Sequence, residues 1–177
     1  MYAVVRELSD AKSPTPYEIK GLANLLLDWS DQEKIQVTPM KLQKMLYFCH
    51  ADYLCTFKRP LIRQQFEAWD FGPVEPSVFA EFRESSKSPI VGRAMQFSPT
   101  LGRRILATID LNPDDLEILR PFFDFYKHSS ATKLSDMSHD RTGPWFAARR
   151  LFDEGRNADR RISDQLISSF HSKAKLS

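Results

Sequence analysis

The chain has 177 residues, 42% of them hydrophobic and 27% charged, with 25 lysines and arginines against 23 aspartates and glutamates for a net charge of +2. A chain of this size suits one domain that buries roughly 70% of its unfolded surface, so neither a disulfide nor a metal staple is required. The nearly balanced charge selects no nucleic-acid partner, and the sequence carries no apolar run of membrane-spanning length and no signal segment, so a cytoplasmic, non-membrane protein is expected.

Residues 1–14 carry Tyr2, Val4 and Val5 ahead of a polar stretch and are expected to form an arm that a partner orders, with residues 15–177 as a single domain. Thr15, Pro16 and Glu18 combine a cap, a first-turn proline and a returning carboxylate, so a first helix is placed there, with Ile19, Leu22, Ala23 and Leu26 facing the core. Thr38 and Pro39 open a second helix in the same way. In it Leu42, Met45, Leu46, Cys49 and Tyr53 form one apolar stripe, and Phe48, Ala51 and Cys55 a second, beyond Lys41 and Lys44. A helix apolar on most sides must be surrounded, so this segment is expected to be the central post of the fold. Cys49 and Cys55 lie six positions apart on it, about 9 Å by helical rise, too far for a disulfide.

After Pro60, Phe66 to Phe71 mixes aromatic and polar residues in a short strand-like run that ends at Gly72 and Pro73, and a helix follows near Pro76. The run to Thr100 shows little period. From Arg104 to Leu111 the residues Ile105, Ala107, Ile109 and Leu111 share a face if extended, so a pairing with Phe66 to Phe71 in a small antiparallel sheet is expected. Asn112 and Pro113 open a helix with Leu116, Leu119, Phe123 and Tyr126 on one face, which Pro121 should kink or split. Short helices from Ala131 to His139 and from Pro144 to Phe152 follow, and Ser163 caps a last helix with Leu166, Ile167 and Phe170. The fold class is therefore mainly α, a compact helical domain around a central buried helix with a small antiparallel β element.

Two clusters suggest chemistry. Cys49 and His50 are adjacent, but neighbouring helical residues point about 100° apart and Cys49 sits in the apolar stripe, which favours core packing over a thiol nucleophile. Asp136, His139 and Asp140 could share a proton or hold a metal, yet no HExxH, CxxC pair, GxSxG or glycine-rich phosphate loop accompanies them. No catalytic, metal or cofactor-binding residue is assigned on this basis. Between Arg141 and Arg161, arginines outnumber Asp153, Glu154 and Asp159, as expected for a solvated face or a surface for an acidic partner.

The series KLQKMLYF (Lys41, Leu42, Gln43, Lys44, Tyr47), AWDFGPVEPSVF (Trp69, Gly72, Pro73, Pro76), LSDMSH (His139), GPW (Trp145) and a final helix with Ile162, Ile167 and Phe170 resembles the Panacea domain family. The resemblance runs from about Tyr17 to Phe170. Members of that family include SocA-like antitoxins and GepA-type phage-associated proteins, many of them carried by phages or mobile elements of bacteria. The resemblance implies an antitoxin that neutralises a cognate protein toxin by contact, either covering it or presenting it to an AAA+ protease as a proteolytic adaptor. It also implies that His139 is a structural polar contact to the strand-bearing region and that Trp69 and Phe79 pack a rigid turn. No cofactor, membrane or nucleic-acid partner is expected, and the oligomeric state is open. Exposed aromatic and arginine residues dominate protein contacts, which makes Tyr2, Val4, Val5, Phe71, Glu75, Arg149 and Arg150 the candidate partner-binding residues. Two alternatives use other chemistry: a hydrolase or metal-dependent enzyme built on His139 with Asp136 or Asp140, and a DNA-binding autorepressor.

Overall fold

Helix α2 (Pro39–Phe57) is the element most of the other helices pack against. A computed structural model describes residues 16–174, with side chains through residue 170, so Tyr2, Val4, Val5 and Thr15 lie outside the described residues. The Thr38 hydroxyl accepts a hydrogen bond from the Lys41 N–H at 3.3 Å, Pro39 occupies the first turn, and Lys58 closes the helix in a left-handed conformation at φ 56°. Both apolar stripes are buried, and so are Gln43, Lys44, Tyr47 and His50 between them. Helices α1 (Ile19–Gln32), α4 (Pro113–Tyr126), α5 (Ala131–Ser138) and α7 (Asp164–Ala174) pack around it, with α3 (Pro76–Phe82) and α6 (Pro144–Asp153) completing the shell. Among the described residues five short strands accompany these helices. The fold is mainly α with a small antiparallel β component, built around a buried post. No helix among the described residues is long and apolar enough to cross a membrane.

Helix α1 begins at Ile19, later than the Thr15-Pro16 signal implies. Tyr17 is drawn instead into a parallel bridge with Ile62: its N–H donates to the Leu61 carbonyl at 2.8 Å and its own carbonyl accepts from the Arg63 N–H at 3.0 Å. The Glu18 carboxylate takes the Gln64 amide and the Arg63 guanidinium. A long-range pairing thus outweighs a local cap signal.

The sheet also departs from expectation. Strand β1 (Phe66–Trp69) lies between β2 (Gly72–Val74) and β5 (Arg161–Ile162), antiparallel to both. The expected partner of β1 is engaged elsewhere: β4 (Arg103–Leu106) forms a separate hairpin with β3 (Met95–Ser98). The Asn24 side chain of α1 fixes the base of this hairpin, donating to the carbonyls of Ala94 at 2.9 Å and Ala107 at 2.8 Å and accepting from the Ala94 N–H at 2.7 Å. Ile162 belongs to β5 rather than to the last helix, which starts after the Ser163 cap. Helix α4 passes Pro121 without splitting. Pro121 and Glu117 are exposed, so water can satisfy the Glu117 carbonyl that the proline leaves unbonded. Leu116, expected on the core face, is exposed, whereas Leu119, Phe123 and Tyr126 are buried.

One polar cluster sits inside the core. The fully buried carboxylate of Asp115 accepts from the hydroxyls of Tyr17 at 2.7 Å and Tyr53 at 2.5 Å and from the Arg59 guanidinium at 2.8 Å. The segment before α1, the post α2 and the start of α4 are thereby tied at one point.

Candidate functional site

The β1–β2 turn at Asp70 and Phe71 is gripped by its own backbone oxygens. Trp145 Nε1 donates to the Trp69 carbonyl at 2.8 Å, Ser135 Oγ to the Phe71 carbonyl at 3.3 Å and Lys44 Nζ to the Pro73 carbonyl at 2.9 Å. His139 Nε2 faces the Asp70 carbonyl at 3.4 Å. The other ring nitrogen, Nδ1, lies 2.6 Å from the Ser135 carbonyl, and the His139 ring sits edge-on to Trp145 with centroids 4.2 Å apart. Arg149 donates to the Asp70 carboxylate at 2.6 Å, which holds that carboxyl below its usual range. Three helices, α2, α5 and α6, therefore converge on one turn.

Gly72 is required where it stands. Its φ is +95°, and a Cβ there would lie 2.6 Å from both Lys44 Nζ and Ser138 Oγ, a conformation and a clearance open only to glycine. Lys44 itself is 1% exposed, and burial pushes its pKa down from 10.5 to about 7. No carboxylate pairs with it among the described residues. Beside it the Gln43 amide brackets the chain after the turn, donating to the Glu75 carbonyl at 3.2 Å and accepting from the Glu75 N–H at 2.8 Å.

The motif residues thus divide by job. Lys44, Gly72, Pro73, His139 and Trp145 shape the turn, Gln43 fixes the exit, Pro76 opens α3, and Leu42 and Tyr47 fill the core beside the buried stem of Lys41, whose Nζ donates to the Lys127 carbonyl at 2.6 Å. His139 makes the contact to the strand region that its place in the motif implies. Trp69 packs edge-on against Phe79 at 5.0 Å, although Phe79 keeps a third of its surface exposed.

What the turn presents outward is Phe71, whose side chain is 71% exposed. Glu75 is a correction: only 4% exposed, it spends its carboxylate on the α3 cap, accepting from the Val78 N–H and the Ser77 hydroxyl at 2.8 Å each. Arg149 is committed to Asp70 and to Asp153, while Arg150 is exposed and only loosely paired with Glu154 at 3.7 Å. Arg156 and Arg161 face Glu154 and Asp159, and Arg160 the Phe152 ring. Ser135 is the first serine of the LSDMSH series, four residues before His139, and that place in the series is the signal that could have found it.

The clusters that suggested chemistry are absorbed by structure. Cys49 is buried, and burial pushes its thiol well up, away from the thiolate. His50 is buried beside it and reaches Asp164 on α7 at 3.0 Å. Asp140 accepts from the N–H and the hydroxyl of Thr142 at 2.8 Å each. Among the described residues no group of three or more His, Cys, Asp or Glu side chains is placed to hold a metal ion.

Residues 42–146 match the family model described as antitoxin SocA-like, Panacea domain. Antitoxin SocA of Caulobacter vibrioides (strain NA1000 / CB15N) is 34% identical over 134 residues, which cover 76% of this chain and 71% of that protein. No solved structure matches. The matched span contains every side chain that holds the turn by a backbone oxygen.

Proposed function

We propose that this chain, which belongs to the SocA-like Panacea family, is the antitoxin of a two-gene pair and neutralises its cognate toxin by direct contact centred on the Phe71 turn. The observation that carries this reading is the convergence of the family's motif residues on one fixed turn that offers a large aromatic side chain to solvent. A contact residue held in advance loses little freedom on binding. A central aromatic anchor is also the usual site of concentrated binding energy. Phe79, partly exposed on α3 and packed on Trp69 at the base of the turn, supplies an apolar flank, and exposed Arg150 is a further contact in this reading. The arm residues Tyr2, Val4 and Val5 are further contacts in this reading, and the protein acts in the cytoplasm by binding, without a cofactor and without bond-breaking chemistry.

The test starts from the adjacent gene. Its product, expressed alone, should arrest growth, and co-expression of this chain should restore it. Phe71→Ala should weaken toxin affinity by about 2–4 kcal/mol, or roughly 30- to 1,000-fold, at an unaltered melting temperature. Unchanged affinity in a well-folded Phe71→Ala chain would remove the turn from the interface. The fate of the toxin separates two modes of neutralisation: a half-life shortened by this chain only when an AAA+ protease is present indicates an adaptor, and an unchanged half-life indicates covering.

A further inference from the structure

The β3–β4 hairpin is a two-stranded sheet with one closed and one open margin. The Ala107 N–H donates to the Ala94 carbonyl at 3.0 Å, and Met95 lies opposite Leu106. In an antiparallel ladder hydrogen-bonded and non-bonded pairs alternate, so the backbone groups of Met95, Phe97, Arg104 and Leu106 point away from the partner strand. On the β3 side this margin is covered: the Met95 N–H donates to Glu81 at 3.1 Å and its carbonyl accepts from Lys20 Nζ at 3.1 Å. On the β4 side the N–H and carbonyl groups of Arg104 and Leu106 find no partner among the described residues.

The surroundings of that open margin are apolar and positive. Phe97, Leu101 and Leu106 each expose half or more of their surface. Lys20 and Arg104 share the single carboxylate of Glu81, and Arg103 is exposed and has no ion pair among the described residues. On β4 itself Arg103 has no carboxylate among the described residues and Arg104 shares that of Glu81 with Lys20 of the covered β3 side, which leaves the open edge net positive.

We infer that the outer edge of β4 docks an extended, acidic segment of the partner polypeptide, which adds to the hairpin as a third strand. Main-chain bonds to Arg104 and Leu106 supply the register, Leu106 and Phe97 receive apolar side chains, and Arg103 selects carboxylates. This inference rests on the toxin-binding reading but uses a surface formed by other residues than the Phe71 turn.

The experiment uses the full chain and the toxin encoded beside it. In the complex, amide exchange at Arg104 and Leu106 should slow at least tenfold relative to the free chain. Leu106→Pro removes one outward donor, a change that edge strands tolerate, and should lower toxin affinity by about tenfold or more while the hairpin and the melting temperature persist. Arg103→Glu should lower affinity too, with a smaller effect at high salt. A stable complex in which both amides exchange as in the free chain overturns the inference, whether or not Leu106→Pro folds. Protection of the same amides in a dimer of the free chain also overturns it, in favour of self-pairing. Failure of the unaltered chain to bind the toxin is a different result: it removes the toxin-binding reading itself, whereas binding without amide protection removes only the β4 edge.

Discussion

Asp115→Ala should cost about 3–5 kcal/mol of folding stability, the loss typical of removing one partner from a buried ion pair. The carboxylate accepts from Tyr17, Tyr53 and Arg59, so its removal leaves two hydroxyls and a guanidinium facing a cavity. Native domains are stable by about 5–15 kcal/mol, which makes this a large fraction of the total. Asp115→Asn keeps the shape and one acceptor and should lose less, and Tyr53→Phe, which deletes one hydroxyl, about 1–2 kcal/mol. Urea midpoints at constant m-value measure the series. A loss below about 1 kcal/mol for Asp115→Ala would mean that the core does not depend on this junction.

Lys44 gives the second large effect, read as a pH profile. Its ammonium is buried, and burial lowers its pKa from 10.5 to about 7. Between those values the unfolded chain binds a proton that the folded chain has released, so stability rises as pH increases through the window. Below pH 7 both states carry the charge and the cost of burying it is present in full; above 10.5 neither does. A tenfold change in proton affinity between the two states corresponds to about 1.4 kcal/mol, so the total amounts to a few kcal/mol. Lys44→Met should flatten the slope between about pH 7 and 9.5. Other groups titrate in or near this range, Lys41 among them because burial lowers its pKa as well, and the difference between variant and wild type isolates Lys44. Parallel stability curves would refute the assignment. The same variant leaves the Pro73 carbonyl without its donor, so toxin affinity should fall along with the slope.

Local structure was legible where a capping side chain stands before a proline or an apolar helix. Thr38, Asn112 and Ser163 each cap the helix that follows, as side chains accepting from an N–H three positions on. Bonds between distant residues were not legible. The Tyr17–Ile62 bridge displaced a good cap signal, the two-residue strand β5 carries no pattern of its own, and His50 meets a partner on the last helix. The site shows the same division. The exposure of Phe71 was legible because an aromatic residue in a glycine-proline turn has few places to hide. Glu75 was misjudged because a glutamate before a helix looks the same whether its oxygens face water or the helix N-terminus. Lys44 was opaque for a related reason: a lysine near a helix start suggests solvent, and only the returning carbonyl of Pro73 explains its burial.

The scaffold grasps the turn through oxygens that every amino acid carries, and it makes no structural demand on the side chain at position 71. That position can drift in a lineage without cost to the architecture beneath it. Under the toxin contact proposed above, a single codon change at this position would retune what the surface meets, while the lysine, serine, histidine and tryptophan underneath stay as they are.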